Sequence, residues 1–228
     1  MHSKPRILLC GDTGISVEFG DKIDPGINAV VWRLYTLLKS GNYPGITDLN
    51  PTYRSLFVQY DPWVCSYERL AGIIDEYLPS LSARHDETAE VKEVPVCYGG
   101  EFGPDLAEVA AFHSLGVEDV IRMHCAPLYR VYMIGFTPGF AYLGGLDERL
   151  HTRRKNEPRK KVPAGSIGIA DQQTGIYPIE SPGGWQLIGR TPLKLFDLAR
   201  ESPFLLEAGD FVRFVPISGD EFEKHSNP

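Results

Sequence analysis

Ser166-Ile167-Gly168-Ile169-Ala170-Asp171-Gln172-Gln173-Thr174-Gly175-Ile176-Tyr177-Pro178-Ile179-Glu180-Ser181-Pro182-Gly183-Gly184-Trp185-Gln186-Leu187-Ile188 is a chain of short apolar stretches, each cut off after a few residues by glycine, proline or a small polar group. It lies in a window, residues 135–192, that holds ten glycines and six prolines in 58 positions. Such a density without apolar partners would mean disorder. Here Phe136, Phe140, Tyr142, Tyr177 and Trp185, with many Ile, Val and Leu, supply the surface that a packed structure buries. The spacing therefore predicts turn-rich β structure, with strands at Ile167–Ala170, Tyr177–Glu180 and Trp185–Ile188. Val94–Tyr98, Val131–Ile134 and Phe211–Val215 read as further short strands, which together point to a closed or nearly closed β-barrel.

Upstream the pattern changes. Arg6–Cys10 and Ile15–Phe19 are two strands about the hairpin signal Gly11-Asp12-Thr13-Gly14. Asp24-Pro25 reads as an N-cap and first helical residue, followed by Ile27, Val30, Val31, Leu34, Leu37 and Leu38 at helical spacing, with Gly41 as the stop. Ile46–Leu49 and Ser55–Tyr60 are two more strands, and Ser66 caps a second helix with the stripe Leu70, Ile73, Ile74, Tyr77 and Leu78. The order is ββαββα. Residues 80–93 are polar and aperiodic, so a boundary is placed there, with an N-terminal α/β sandwich domain over 1–88 and a barrel domain over 89–228. The fold class is α+β.

The chain has 228 residues, 43% of them hydrophobic, and a formal net charge of −7. That balance disfavours nucleic acid, whose phosphates need clustered Lys and Arg. No apolar run has the length to span a membrane, and the start of the chain lacks a secretory leader, so no membrane partner is expected. Cys10, Cys65, Cys97 and Cys125 are widely spaced and outside any ligand pattern, which predicts reduced thiols, no metal and a cytoplasmic location.

Several stretches carry two readings. Arg149, Arg153, Arg154, Lys155, Arg159, Lys160 and Lys161, opposed locally by Glu157, form either a solvated loop or an anion clamp. The helices Asp105–His113 and Val117–His124, joined by Ser114-Leu115-Gly116, have helix-turn-helix spacing, but Glu118 and Asp119 would face phosphates. They read as packing helices. Gly184–Thr191 has phosphate-loop spacing with Arg190 in the Lys position, yet Trp185, Leu187 and Ile188 make it a strand. Ala164-Gly165-Ser166-Ile167-Gly168 has the outline of a nucleophile elbow but precedes a strand rather than a helix. His124, ending its helix, either interacts with the helix terminus or moves a proton.

Longer strings carry a resemblance. Gly135-Phe136-Thr137-Pro138-Gly139-Phe140-Ala141-Tyr142-Leu143-Gly144-Gly145-Leu146, Pro158–Ser166, Gln173–Pro178 and Ser181–Pro192, with Val17-Glu18-Phe19-Gly20 and Pro51–Leu56, resemble the family of KipI and the 5-oxoprolinase B subunits, related to allophanate hydrolase subunit 1 and the urea carboxylase carboxyltransferase domain. The resemblance implies a cyclophilin-like barrel after the small N-terminal domain. It also implies one component of a bacterial ATP-dependent 5-oxoprolinase, which converts 5-oxo-L-proline, ATP and water to L-glutamate together with the A and C subunits. The alternative it carries is a KipI-type inhibitor of sporulation histidine kinase autophosphorylation. Two positions depart from the family pattern: Arg153, where a proline is expected, and Asp171, where a glycine is expected.

An unstrained lactam resists hydrolysis, so its opening needs activation coupled to ATP, an anion clamp and donors to a developing oxyanion. Arg159 and Arg190 are the candidates for carboxylate or phosphate, with Gln173, Thr174 and Ser181 as neutral substrate contacts. His124 and Tyr177 are the candidate catalytic groups, His124 for a proton. Phe136, Phe140, Tyr142 and Trp185 are either interface anchors or barrel filling. The resemblance assigns none of these roles. A chain with neither a nucleotide motif nor a complete catalytic set is expected to act only with its partners, with ATP bound by the complex.

Overall fold

Asp24 accepts a hydrogen bond from the Ile27 backbone N–H at 3.0 Å, so helix α1 (Pro25–Gly41) starts where its capping chemistry dictates. The computed structural model describes residues 1–2, 4–81 and 91–226. They divide into two compact units, Met1–Thr88 and Ala89–Pro228. The boundary expected within 80–93 falls largely outside the described residues.

In the first unit, strands β1 (Arg6–Leu9), β2 (Gly14–Glu18), β3 (Ile46–Pro51) and β4 (Ser55–Tyr60) form an antiparallel sheet in the order β1-β2-β4-β3. Ile15 lies opposite Val58 and Val17 opposite Leu56, so these four share one face. Against that face lie Val31, Leu34 and Leu38 of α1, and Leu70 and Ile74 of α2 (Tyr67–Tyr77), which Ser66 caps through the Arg69 N–H. The left-handed residue that ends α1 is Asn42, one position beyond the glycine expected to stop it.

The second unit contains β5 (Val91–Tyr98), α3 (Leu106–Phe112), α4 (Val117–Cys125), β6 (Tyr129–Ile134), β7 (Ala141–Gly144), β8 (Arg159–Val162), β9 (Ser166–Ala170), β10 (Gln173–Ile176), β11 (Ser181–Gly183), β12 (Gln186–Arg190), β13 (Phe211–Pro216) and α5 (Gly219–Ser226). Seven strands close into a barrel in the order β10-β7-β6-β13-β5-β12-β9, antiparallel except for the β13–β5 pair. Inward side chains such as Val94, Val131, Leu143, Ile167, Ile169, Ile176 and Phe214 fill it, and Leu106, Val109, Val120 and Met123 of α3 and α4 join the same core. Those helices pack on the barrel, as their apolar faces require. β8 and β11 form a separate two-stranded sheet.

The expected strand Tyr177–Glu180 is displaced. Ladder pairing ends at Ile176 and resumes at Ser181, because β10 bonds to both β7 and β9 and such a central strand excludes the donorless Pro178. The expected strand Trp185–Ile188 is Gln186–Arg190 instead, which leaves Trp185 outside the ladder and free to lie on the barrel wall. β9 and β10 are joined by the two residues Asp171-Gln172, with Asp171 at φ 52°, the left-handed geometry such a tight hairpin needs. The phosphate-loop spacing over 184–191 falls mostly on β12, whose residues pair with β5 and β9. Ser166 opens β9, fully buried, so the elbow reading fails on geometry.

Candidate functional site

Gly168 and Gly175 stand opposite each other on β9 and β10 and make a flat patch on the outer wall of the barrel. A Cβ on Gly168 would come within 2.9 Å of Trp185 Cβ, and one on Gly175 within 3.0 Å of Trp185 Cζ3, so the indole rests directly on backbone. Around it pack Phe140, Tyr142 and Tyr177, with ring centroids 5.4, 5.9 and 6.4 Å from Trp185 in edge-to-face arrangements. Phe136 meets Phe140 edge-on at 5.6 Å. These five aromatic residues, Arg154 and a rim of Pro158, Pro182, Gly183 and Gly184 enclose a cavity of ≈ 330 Å³.

Four expected interface residues and one expected catalytic residue thus meet at one place. Their exposure differs. Phe136 is 63% exposed and sits at φ 66°, a strained conformation for an aromatic residue, whereas Phe140 and Trp185 are buried. Tyr177 is also buried, and desolvation pushes its hydroxyl up to about 12, partly offset by the Trp185 backbone N–H aimed at it. It stays protonated at neutral pH.

A second cavity of ≈ 630 Å³ adjoins the first across Arg154, between α3 and the segment 152–157. This segment is strapped down. Asp105 carries the straps: Lys155 Nζ donates to it at 3.0 Å, Arg159 Nη2 donates at 2.6 Å, and the Leu187 backbone N–H donates at 2.7 Å. Burial alone would raise the Asp105 carboxyl, but these three donors hold it below its ordinary value. Lys155 N–H also donates to Gly184 O at 2.7 Å, and Gln186 Nε2 to Arg153 O at 3.0 Å. The basic run is therefore largely matched by acids, most of them distant in sequence: Arg149 pairs with Asp147, Arg154 with Asp171, and Lys161 with Glu180.

The remaining candidates lie elsewhere. His124 is 0% exposed inside the barrel. Thr174 gives its hydroxyl hydrogen to Gly168 O at 3.0 Å, so His124 Nε2 carries the hydrogen it shares with Thr174 Oγ1 at 2.9 Å. Its Nδ1 then accepts from the Tyr98 hydroxyl at 2.8 Å. Desolvation lowers the His124 ring to about 3, so both His124 and Thr174 belong to a neutral network in the core. Arg190 lines neither cavity; it donates to Glu101 O at 3.3 Å and lies over Phe102. Gln173 and Ser181 are buried, and Gln173 Nε2 and Ser181 Oγ lack partners among the described residues. Sequence reasoning does not single out Arg154 or Asp105. Arg154 is one of seven cations in the basic run, and Asp105 has no cation close by in the chain to mark it.

A cavity of similar size in the first unit, lined in part by Tyr35, Lys39 and Asp48, gathers none of the candidate residues. Among the described residues no cluster suits a metal ion, and no helix is long and apolar enough to cross a membrane.

A family model described as the carboxyltransferase domain, subdomain C and D, matches residues 5–206. The chain is 41% identical to the 5-oxoprolinase B subunit of Bacillus subtilis (strain 168), covering 99% of this chain and 98% of that relative. Among solved structures, TTHA0988 matches with a TM-score of 0.80 at 40% identity over 90% of this chain, which spans 40% of that protein. K. lactis urea amidolyase matches with a TM-score of 0.79 at 22% identity over 96% of this chain and 15% of its own length, a likeness of fold. These matches bear out the resemblance carried by the glycine- and proline-rich strings, and the chain belongs to the family of carboxyltransferase domains, subdomains C and D.

Proposed function

We propose that this chain is the B subunit of an ATP-dependent 5-oxoprolinase, acting with the A and C subunits to open 5-oxo-L-proline to L-glutamate at the expense of ATP and water. The observation that carries the reading is the aromatic cavity, whose ring-lined walls and ≈ 330 Å³ suit a small flat lactam. Similarity along nearly its whole length to a protein named as the B subunit of 5-oxoprolinase supports the same reading.

In this reading the chain seats and orients the lactam and keeps water from its ring. Phe140, Tyr142 and Trp185 hold the ring faces, and the Tyr177 hydroxyl donates a hydrogen bond to the lactam carbonyl, a bond that strengthens as negative charge develops there. With its proton held so tightly, Tyr177 is a donor and not a base. His124 keeps the barrel interior in register and moves no proton to the cavity. The stretch with phosphate-loop spacing offers no cradle, since its residues pair within the barrel. ATP is accordingly assigned to the complex rather than to that stretch.

Inhibition of a histidine kinase by aromatic anchors is the weaker alternative. It needs Phe140 and Trp185 at the surface, and both are buried in the cavity wall. The test is 5-oxo-L-proline-dependent ATP hydrolysis by the purified chain with the A and C subunits, each omitted in turn. Activity is expected from the full set and lost without this chain; full activity from the isolated chain would overturn the proposal.

A further inference from the structure

Among the described residues, Arg154 is the one charged side chain on the wall of the aromatic cavity. Its guanidinium lies 5.9 Å from the Trp185 ring centroid. On its other side it reaches Asp171, with Nε and Oδ2 3.7 Å apart, too long for a direct hydrogen bond and exposed on both partners. The side chain is therefore only loosely held. Its backbone is not: the segment beneath it is tied by Lys155 and Arg159 to Asp105, by Lys155 N–H to Gly184 O, and by Gln186 to Arg153 O. A loosely held guanidinium on a fixed support, at the rim of an apolar ring pocket, complements a flat ring bearing one carboxylate.

We propose that Arg154 is the specificity-determining residue of this cavity, taking the carboxylate of a small cyclic amide whose ring lies among Phe140, Tyr142 and Trp185, and releasing Asp171 as it does so. The inference rests on the reading of the cavity as the lactam seat. It differs from the sequence-based expectation, which gave the carboxylate to Arg159 and Arg190. Arg159 has one arm committed to Asp105, and Arg190 stands away from the cavity.

The test is a titration of the ¹⁵N-labelled full chain with 5-oxo-L-proline and with 2-pyrrolidinone, the same lactam ring without the carboxylate, followed at the Trp185 indole N–H. A charge-assisted contact predicts at least about tenfold tighter binding of 5-oxo-L-proline. Arg154→Gln is expected to abolish that preference while leaving 2-pyrrolidinone binding unchanged, which also shows that the cavity is still folded. Asp171→Asn, which removes the competing carboxylate, is expected to tighten 5-oxo-L-proline binding severalfold. A tenfold preference that survives in Arg154→Gln, or equal binding of the two rings by the unmodified chain, would overturn the role of Arg154 while leaving the lactam seat standing. No shift of Trp185 with either ring would overturn both.

Discussion

Asp105 Oδ1 accepts from Arg159 Nη2 at 2.6 Å, with the carboxylate side chain only 4% exposed, and the same carboxylate carries Lys155 and the Leu187 N–H. One buried acid from the start of α3 thus holds the segment that separates the two cavities at Lys155 and just beyond it at Arg159. Asp105→Ala leaves the partly buried Arg159 guanidinium and the Leu187 amide without this acceptor, and leaves Lys155 only Glu108 and Gln186, a change expected to cost about 3 kcal/mol. Urea unfolding at neutral pH measures it. Because the folded carboxyl is held below its ordinary 3.8, its contribution is present above that value and is lost as the pH falls through the lowered one. The variant should lack that acid-side loss.

His124 gives a pH signature of the same sign but at higher pH, well inside the accessible range. Its ring is lowered from 6.5 to about 3 by burial, so below pH 6.5 the unfolded chain takes up a proton that the folded chain refuses. Stability is expected to fall by about 2 kcal/mol between pH 7.5 and 5 from this residue alone. His113, lowered by burial and by His151, adds in the same direction. Urea midpoints against pH should be visibly flatter for His124→Gln, while the remaining slope reports His113.

Tyr177→Phe removes one hydrogen-bond donor from the cavity and no packing. In the reconstituted complex kcat is expected to drop about a hundredfold with a much smaller change in KM, as for the loss of a donor that acts on developing charge. An equal rise in KM at unchanged kcat would assign Tyr177 to ground-state binding alone. Since its hydroxyl titrates at about 12, the rate should show no decline near pH 10 attributable to this group.

Gly175→Ala places a methyl group 2.9 Å from Ala141 O and 3.0 Å from Trp185 Cζ3. The indole must lift from the barrel wall, at a cost of about 1–3 kcal/mol for overpacking. Thermal unfolding together with 5-oxo-L-proline binding checks this: both are expected to weaken, whereas Gly72→Ala, with open space around it, should leave binding untouched.

The parts of this fold legible in the sequence are those determined by neighbours along the chain. Asp24, Ser66 and the helical stripes they introduce need only local hydrogen bonds and periodicity. The short strands are visible from their glycine and proline punctuation, but their limits slip near Pro178, where pairing on both sides of β10 decides which residue can enter the ladder, and near Trp185, where pairing of β12 with β9 begins at Gln186. The aromatic residues are recognisable as a group, since they sit in the strings that carry the family. Which cation serves them is not. That depends on Asp105 reaching Lys155 and Arg159, 50 and 54 positions away, a pairing that barrel closure creates and no sequence window contains.

The central claim is that the ring-lined cavity of the second unit seats the lactam, and a crystal structure of the reconstituted complex with bound 5-oxo-L-proline tests it most directly. The expected result is a ring against Trp185 and Phe140, its carbonyl at hydrogen-bonding distance from the Tyr177 hydroxyl. A ligand bound elsewhere in the complex, with this cavity unoccupied, would contradict it.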